Sequence, residues 1–222
     1  MRDRDDSYSV HPRYSRAERI ADAIVHALGV TFGLAACVSL AIALLPSHDS
    51  LLWLALALYG LGLLAMLGCS ALYNLTSHVR WKAVFRRLDH AAIFVMIAGT
   101  YTPFMLIVVG GAWGLGLLAF VWTVALCGVA MKLFWPWRFD RLSLAAYLLL
   151  GWSIVVALHP LIAAVSVAGL VLLGVGGLLY SLGVVFHLWH RLPFQNAIWH
   201  AFVLAASGCF FAAITWSVAV AA

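Results

Sequence analysis

Eleven side chains that can exchange protons, hold cations or join helices by hydrogen bonds lie within or beside long apolar runs of this 222-residue sequence: Glu18, Asp22 and His26; Ser70 and Asn74; Asp89 and His90; His187 and His190; Asn196 and His200. Carboxylates and imidazoles take up protons and bind cations, while hydroxyls and amides orient them. Asp22/His26, Ser70/Asn74 and Asn196/His200 are each spaced i,i+4, which stacks each pair on one face of a helix. Ionisable and amide groups surrounded by hydrocarbon are costly, so they face a bundle interior and mark functional sites. Whether these residues form one site depends on the elements that carry them and on the depth each reaches.

Seven apolar stretches, at about 20–45, 51–73, 89–109, 112–132, 141–158, 161–186 and 197–220, supply those elements. Each approaches the roughly 20 residues that cross about 30 Å of hydrocarbon. Hydrophobic residues make up 65% of the chain, charged residues 9%, and the mean hydropathy is +1.04. A soluble domain of that composition has too few polar groups to cover its surface, and the runs are apolar all round rather than alternating as in a barrel strand. The expected fold is an all-α, seven-transmembrane helix bundle over 17–222, preceded by a polar cytoplasmic tail over 1–16 with no cleaved signal. The basic residues fall on alternate connections: Arg2, Arg4, Arg13, Arg16 and Arg19; Arg80, Lys82, Arg86 and Arg87; Lys132, Arg138 and Arg141; and Arg191. Basic residues near helix ends stay in the cytoplasm, so the amino terminus is expected inside and the carboxyl terminus outside. The same bias explains the net charge of +5, and no nucleic-acid partner is expected.

With that topology, runs one, three and seven enter from the cytoplasm while two and six return to it, so all eleven side chains share one layer near the inner leaflet. The outer half offers mainly Thr31, Thr123, Ser153, Ser166, Thr215 and Ser217, which can bond their own helix carbonyls, and His159-Pro160 reads as an outer turn. Plainer readings stand beside the functional ones. Glu18 and Asp22 suit the positive end of a helix dipole. Asp89 follows Arg86-Arg87-Leu88 and can simply cap the third helix. His78 and His190 read as interfacial, and His11 and His48 as solvated. Cys37, Cys69, Cys127 and Cys209 lack metal-finger spacing and read as packing residues. The tryptophans near both boundaries, Trp53, Trp113 and Trp216 outside and Trp81, Trp135, Trp137, Trp189 and Trp199 inside, read as interfacial belts.

Ser70-Ala71-Leu72-Tyr73-Asn74, Arg87-Leu88-Asp89-His90-Ala91-Ala92-Ile93-Phe94 and Ile97-Ala98-Gly99-Thr100-Tyr101-Thr102-Pro103 strongly resemble the hemolysin III family, the bacterial branch of the progestin and adipoQ receptor group. Glu18 to His26 resembles that group's first motif, and Phe194 to Leu204 its last. The resemblance implies a seven-helix bundle with its amino terminus inside, in a bacterial cytoplasmic membrane. It further implies a zinc ion held by three histidines near the inner leaflet, with a water between the metal and a carboxylate, similar to enzymes that hydrolyse lipid amides such as ceramides. In that likeness Asp89 matches the carboxylate, His200 the second ligand of the final helix, and Ser70 the serine that supports the site.

The chain departs from the pattern at two ligands: Asn74 stands where the S-x-x-x-H motif has its histidine, and Asn196 where the H-x-x-x-H motif has its first. An amide oxygen is a weak, hard donor suited to calcium, magnesium or water, so ordinary three-histidine zinc hydrolysis does not carry over. His26, His187 and His90 lie at the depth of substitute ligands. Three readings stay open, with membrane lipids as the partner in the first two. One is a metal-dependent hydrolase of lipid amides or esters, with Asp89 as base and His200 plus another histidine on the ion. Another is a non-catalytic protein that senses or binds lipid, its polar layer acting as structural glue. The last is a pore, which the confinement of polar residues to the inner half does not favour. The shared layer itself depends on the topology. A cysteine added after Ala222 is expected to react with a membrane-impermeant maleimide from outside the cell; reaction only from the cytosol would dissolve the layer.

Overall fold

Hydrocarbon offers no partner to a free backbone N–H or C=O, so each apolar run closes its hydrogen bonds within itself as a helix. The computed structural model describes residues 14–136 and 138–221, the last four by backbone alone; the tail through Arg13, Trp137 and Ala222 lie outside the described residues. Seven spans are long and apolar enough to cross a membrane. They are Arg16–Leu44 (α1), Ser50–Leu75 (α2), Val79–Pro103 (α3, prolonged by π-helical turns over Phe104–Val109), Gly111–Phe134 (α4), Asp140–Trp152 (α5) joined through a 3-10 segment to Leu158–Ala164 (α6), Val167–Leu188 (α7) and Gln195–Ala221 (α8). The all-α, seven-helix fold class is therefore as the sequence leads one to expect.

Helix starts are set by side chains that accept the first free N–H groups. At α1, Ser15 Oγ accepts from Glu18 N at 3.2 Å while Glu18 Oε2 accepts from Ser15 N at 2.7 Å, a reciprocal capping box. The other carboxylate oxygen of Glu18 accepts from Phe194 N at 2.9 Å, which fixes the start of α1 to the turn before α8. Asp49 caps α2 and Ser166 caps α7. Ser166 thus caps rather than bonding back to a helix carbonyl, while Ser217 Oγ is buried without a partner; Thr123 and Thr215 do bond their helix carbonyls.

Three boundaries differ from the sequence expectation, each for a local reason. Helix α3 starts at Val79, not near 89, because its charged opening turns run on beyond the apolar stretch. His78 holds the N-cap position, so Asp89 lies about three turns inside the helix and does not cap it. His159 and Pro160 sit inside α6, and the connection to α7 falls at Val165 and Ser166. Pro160 has no N–H for the carbonyl four residues back, which breaks the span but is tolerated in the first turn of α6. Tyr101 reaches across from α3 to the break, its hydroxyl 2.9 Å from the Gly151 carbonyl and 3.0 Å from Ser153 Oγ, while Ser153 donates to the Leu150 carbonyl at 2.7 Å. Finally, Lys132 does not belong to a connection. It is 1% exposed in the last turn of α4 and donates to Asp140 Oδ1 at 2.8 Å.

The most extensive interface joins α2 to α3. A Cβ on Gly99 would meet the Leu58 carbonyl oxygen at 2.8 Å and Tyr59 Cα at 3.3 Å, both backbone, so the crossing distance depends on a missing side chain. Tyr59, Leu63, Phe94, Met105 and Val121 are fully buried around it. By contrast, α5 and α7 meet along only a short stretch, bridged by Trp152 Nε1 donating to Ser181 Oγ at 3.0 Å. At the basic end, Asp140 joins three elements: Arg86 donates to its Oδ2 at 2.7 Å and to the Pro136 carbonyl at 2.8 Å, Lys132 to Oδ1, and His90 Nδ1 stands 3.9 Å away.

Gly99→Ala is expected to lower stability by about 1–3 kcal/mol as α2 and α3 are forced apart, read as an earlier thermal unfolding in detergent. Asp140→Ala strips a buried ammonium of its partner and is expected to cost about 1–3 kcal/mol, less than a fully enclosed pair because Asp140 is 46% exposed. Adding Lys132→Met should recover part of that loss, because the charge is then no longer stranded; an additive further loss in a double-mutant cycle would show that the pair does not carry the effect.

Candidate functional site

Asp22 and His26 are one turn apart on α1, and both are buried. His26 Nδ1 lies 2.7 Å from the Asp22 main-chain oxygen, and a carbonyl only accepts, so that nitrogen carries the ring proton. His200, on α8, places its Nδ1 2.9 Å from Asp22 Oδ1, and a carboxylate likewise accepts. The same oxygen is 3.5 Å from His26 Nδ1. Both rings are therefore held in one tautomer, with Nε2 left as the lone-pair nitrogen of each neutral ring. The two Nε2 atoms face one hydroxyl, Ser70 Oγ on α2, at 3.3 Å from His26 and 3.4 Å from His200, and the ring centroids are 4.3 Å apart.

The amides complete the ring of contacts. Asn196 Nδ2 donates to Asp22 Oδ2 at 3.0 Å and to Asn74 Oδ1 at 3.1 Å, while Asn74 Nδ2 donates to the Ser70 carbonyl at 3.0 Å. Asp22, His26, Ser70, Asn74, Asn196 and His200 thus form one network across α1, α2 and α8. Asp22, His26 and His200 each offer a ligand atom within 4.8 Å of the others, a group able to hold a metal ion. The three-histidine arrangement does not fit, because the amides at the two remaining positions are bonded to each other and to Asp22.

Asp89, inside α3, lines the same cavity as Ser70 and His200. His187 stands apart from the group: its ring packs on Trp199 at 5.1 Å between centroids, and its Nδ1 is buried without a hydrogen-bond partner. His90 belongs with Asp140. Among these residues Asp22 is the one whose importance the sequence understates. Its i,i+4 spacing from His26 is the signal, yet an acid in the opening turns of a helix has an equally good explanation in the dipole.

The network closes one end of a cavity of about 1610 Å³. Leu144 and Leu148 of α5, Leu158 of α6 and Leu170 and Leu173 of α7 line its apolar walls, and Asp22, His26, Ser70, Asn74, Asp89 and His200 its polar end. Tyr14, just before α1, also lines it; burial, together with the nearby Asp22 carboxylate, pushes its phenol above its ordinary value.

The family model described as "Haemolysin-III related" matches residues 15–211. "Hemolysin-3 homolog" of Bacillus subtilis (strain 168) is 41% identical over 196 residues, covering 87% of this chain and 91% of the relative. "Hemolysin-3" of Bacillus cereus is 40% identical over 194 residues, with 87% and 89% covered. The human "Monocyte to macrophage differentiation factor" is 31% identical over 166 residues, 71% of this chain and 67% of its own length. Seven spans and relatives of this kind place the protein as an integral membrane protein of a bacterial cytoplasmic membrane. With nearly the whole described bundle inside the match, the chain belongs to the haemolysin-III-related family of multipass membrane proteins.

Proposed function

We propose that the protein binds a membrane lipid and acts in membrane-lipid sensing or metabolism, the acyl portion lying against the leucine walls and the amide or ester region at the polar end. The observation that carries this reading is the cavity itself. Its volume of about 1610 Å³ exceeds the roughly 300–1,000 Å³ of pockets that hold drug-sized ligands, and its lining combines leucine walls with the carboxylates, imidazoles and amides of the network, as an amphiphile requires. With the basic helix ends in the cytoplasm, the polar end lies within the inner leaflet, just below its headgroups. The cavity wall between α5 and α7 is held by only a short contact.

A second reading adds turnover, favoured by Asp89 lining the same cavity as Ser70 and His200. A carboxylate there can take a proton from a water attacking the acyl carbon, and Ser70 can orient that water. A metal, when bound, supplies a water of lowered pKa and polarises the carbonyl. Zinc on three histidines is not part of this proposal, since Asn74 and Asn196 are engaged with each other. Nor is a pore, because a conducting path needs polar groups through the full thickness.

Mass spectrometry of the purified protein is expected to find co-purifying lipid, depleted when Leu170→Trp and Leu173→Trp fill the apolar walls. Equal lipid content in parent and filled variant would overturn the binding reading. For turnover, Asp89→Ala is expected to slow hydrolysis of ceramide-like substrates by about 10²–10⁴-fold. A rate unchanged by that substitution would leave binding without catalysis.

A further inference from the structure

Positive charge at the inner end of the bundle is not spread evenly. The orientation of the spans needs basic residues near those helix ends whichever way they face. Yet Arg19 of α1, Lys82 and Arg86 of α3 and Arg141 of α5 line the cavity, while Arg80 and Arg87 of α3 do not. Arg86 is committed to Asp140 and to the Pro136 carbonyl. The other three cations make no ion pair among the described residues. Lys82 Nζ lies over the Tyr73 ring, 5.5 Å from its centroid, a contact that supplies no counter-charge. Nearby acids are already supplied with donors: Glu18 by the Ser15 and Phe194 main chain, and Asp140 by Arg86 and Lys132. Lys82 is one turn before Arg86 on the same face of α3, and Arg141 follows Asp140 in the chain, so the Arg86–Asp140 pair brings Lys82 and Arg141 to one seam between α3 and α5. Arg19 stands about one turn before Asp22 on α1.

We infer that Arg19, Lys82 and Arg141 form, at the basic mouth of the cavity, a site for the phosphate of an anionic glycerophospholipid. The inference rests on the lipid-binding reading and names the class of lipid. A guanidinium fork matches two phosphate oxygens, and an ammonium adds a point charge to a third. Basic pockets between spans on the cytoplasmic side are where acidic headgroups are held. Arg19 and Arg141 are exposed and Lys82 is half-buried, so a headgroup can reach all three. Depth agrees with the chemistry. The mouth lies one turn or more toward the cytoplasm from the network, and in a glycerophospholipid the phosphate follows the ester carbonyls in that direction. A diacylglycerol or a ceramide offers only hydroxyls there and leaves the three cations without a counter-charge. A phosphatidylethanolamine adds an ammonium to a mouth that already holds positive charge, whereas a phosphatidylglycerol adds none. Inorganic phosphate shares the anion's chemistry but has no chains for the leucine walls.

The test exposes delipidated full-length protein in detergent to equimolar phosphatidylglycerol, phosphatidylethanolamine and diacylglycerol of one chain composition, and reads the retained lipid by native mass spectrometry. Phosphatidylglycerol is expected to be retained in preference to the other two. Lys82→Gln with Arg141→Gln is expected to reduce that preference about 25-fold, at about fivefold for each cation near a membrane surface, and Arg19→Gln to reduce it about fivefold alone. Lys82→Arg should keep it. Arg80→Gln with Arg87→Gln removes the same charge outside the cavity and should leave the preference unchanged. Thermal unfolding shows which variants are folded, and the single substitutions stand in for a double variant that is not. Equal retention of the three lipids by the parent, an undiminished preference in the cavity variants, or an equal loss in the Arg80/Arg87 control would overturn the inference. So would binding of inorganic phosphate without any headgroup preference, which assigns the mouth to the free ion. Retention of no lipid at all sinks the lipid-binding reading along with this one; retention of all three alike sinks the headgroup assignment and leaves lipid binding standing.

Discussion

A carboxylate held away from bulk water needs donors on every side, and Asp22 obtains them from two helices. His200 and Asn196 of α8 occupy its two oxygens, and His26 of its own helix bonds its main-chain oxygen while standing 3.5 Å from the carboxylate. Each of those donors is in turn bonded onward, His26 and His200 to Ser70, and Asn196 to Asn74, so the demand of one acid organises α1, α2 and α8 at a common level. The Glu18 contact to Phe194 N acts one turn nearer the helix end and holds the same two elements, α1 and the start of α8, in register. Without that register Asp22 and His200 would not face each other. In a low-dielectric interior such a network is either complete or expensive, which is why its two asparagines matter as much as its histidines.

Amide substitution at Asn74 and Asn196 changes what the layer can do without dissolving it. An imidazole at either position would offer a lone pair for a metal; an amide offers an N–H₂ that must be spent. Asn196 spends both protons, on Asp22 and on Asn74, and thereby ties the acid to the neighbouring helix. The lone pairs that remain available belong to His26 and His200, whose Nε2 atoms face the Ser70 hydroxyl. The polar layer therefore keeps its place in the bundle while its donor nitrogens face a different point.

Much of this was legible in the sequence because hydropathy and charge act over long stretches. The seven runs specify the spans, and the alternation of basic connections brings Asp22, Ser70, Asn196 and His200 to one depth before any contact is known. What remained hidden depends on single backbone groups and on direction. The break between α5 and α6 follows from one missing N–H at Pro160, yet a His-Pro pair between two apolar runs reads just as well as a turn. Lys132 counts as a connection charge until Asp140, from the next span, is seen to reach back to it. Asp89 after a pair of arginines looks like a cap because propensity cannot show that α3 begins well before it. The choice between His26, His90 and His187 as neighbours of His200 is a matter of which way each ring turns. All three have the right depth, and only contacts separate the one beside Ser70 from the one beside Asp140 and the one stacked on Trp199.

The position of the layer has a consequence for how a lipid would meet it. A polar group set at mid-membrane would oppose the fatty part of a lipid, and one set at the surface would meet only its headgroup. Here the network begins about two turns into α1 and occupies the first turn and a half of α8, just inside the ends marked by Glu18 and Phe194. With the basic ends expected in the cytoplasm, that is the depth at which an inner-leaflet lipid carries the carbonyls joining its chains to its backbone. Leucines of α5, α6 and α7 then continue the cavity toward the membrane centre, where the chains of the same lipid run. A bundle closed by α2–α3 packing through Gly99, but joined along only a short stretch between α5 and α7, carries its polar network on α1, α2 and α8, so the groups that must be held in place are not on the two elements with the lighter contact.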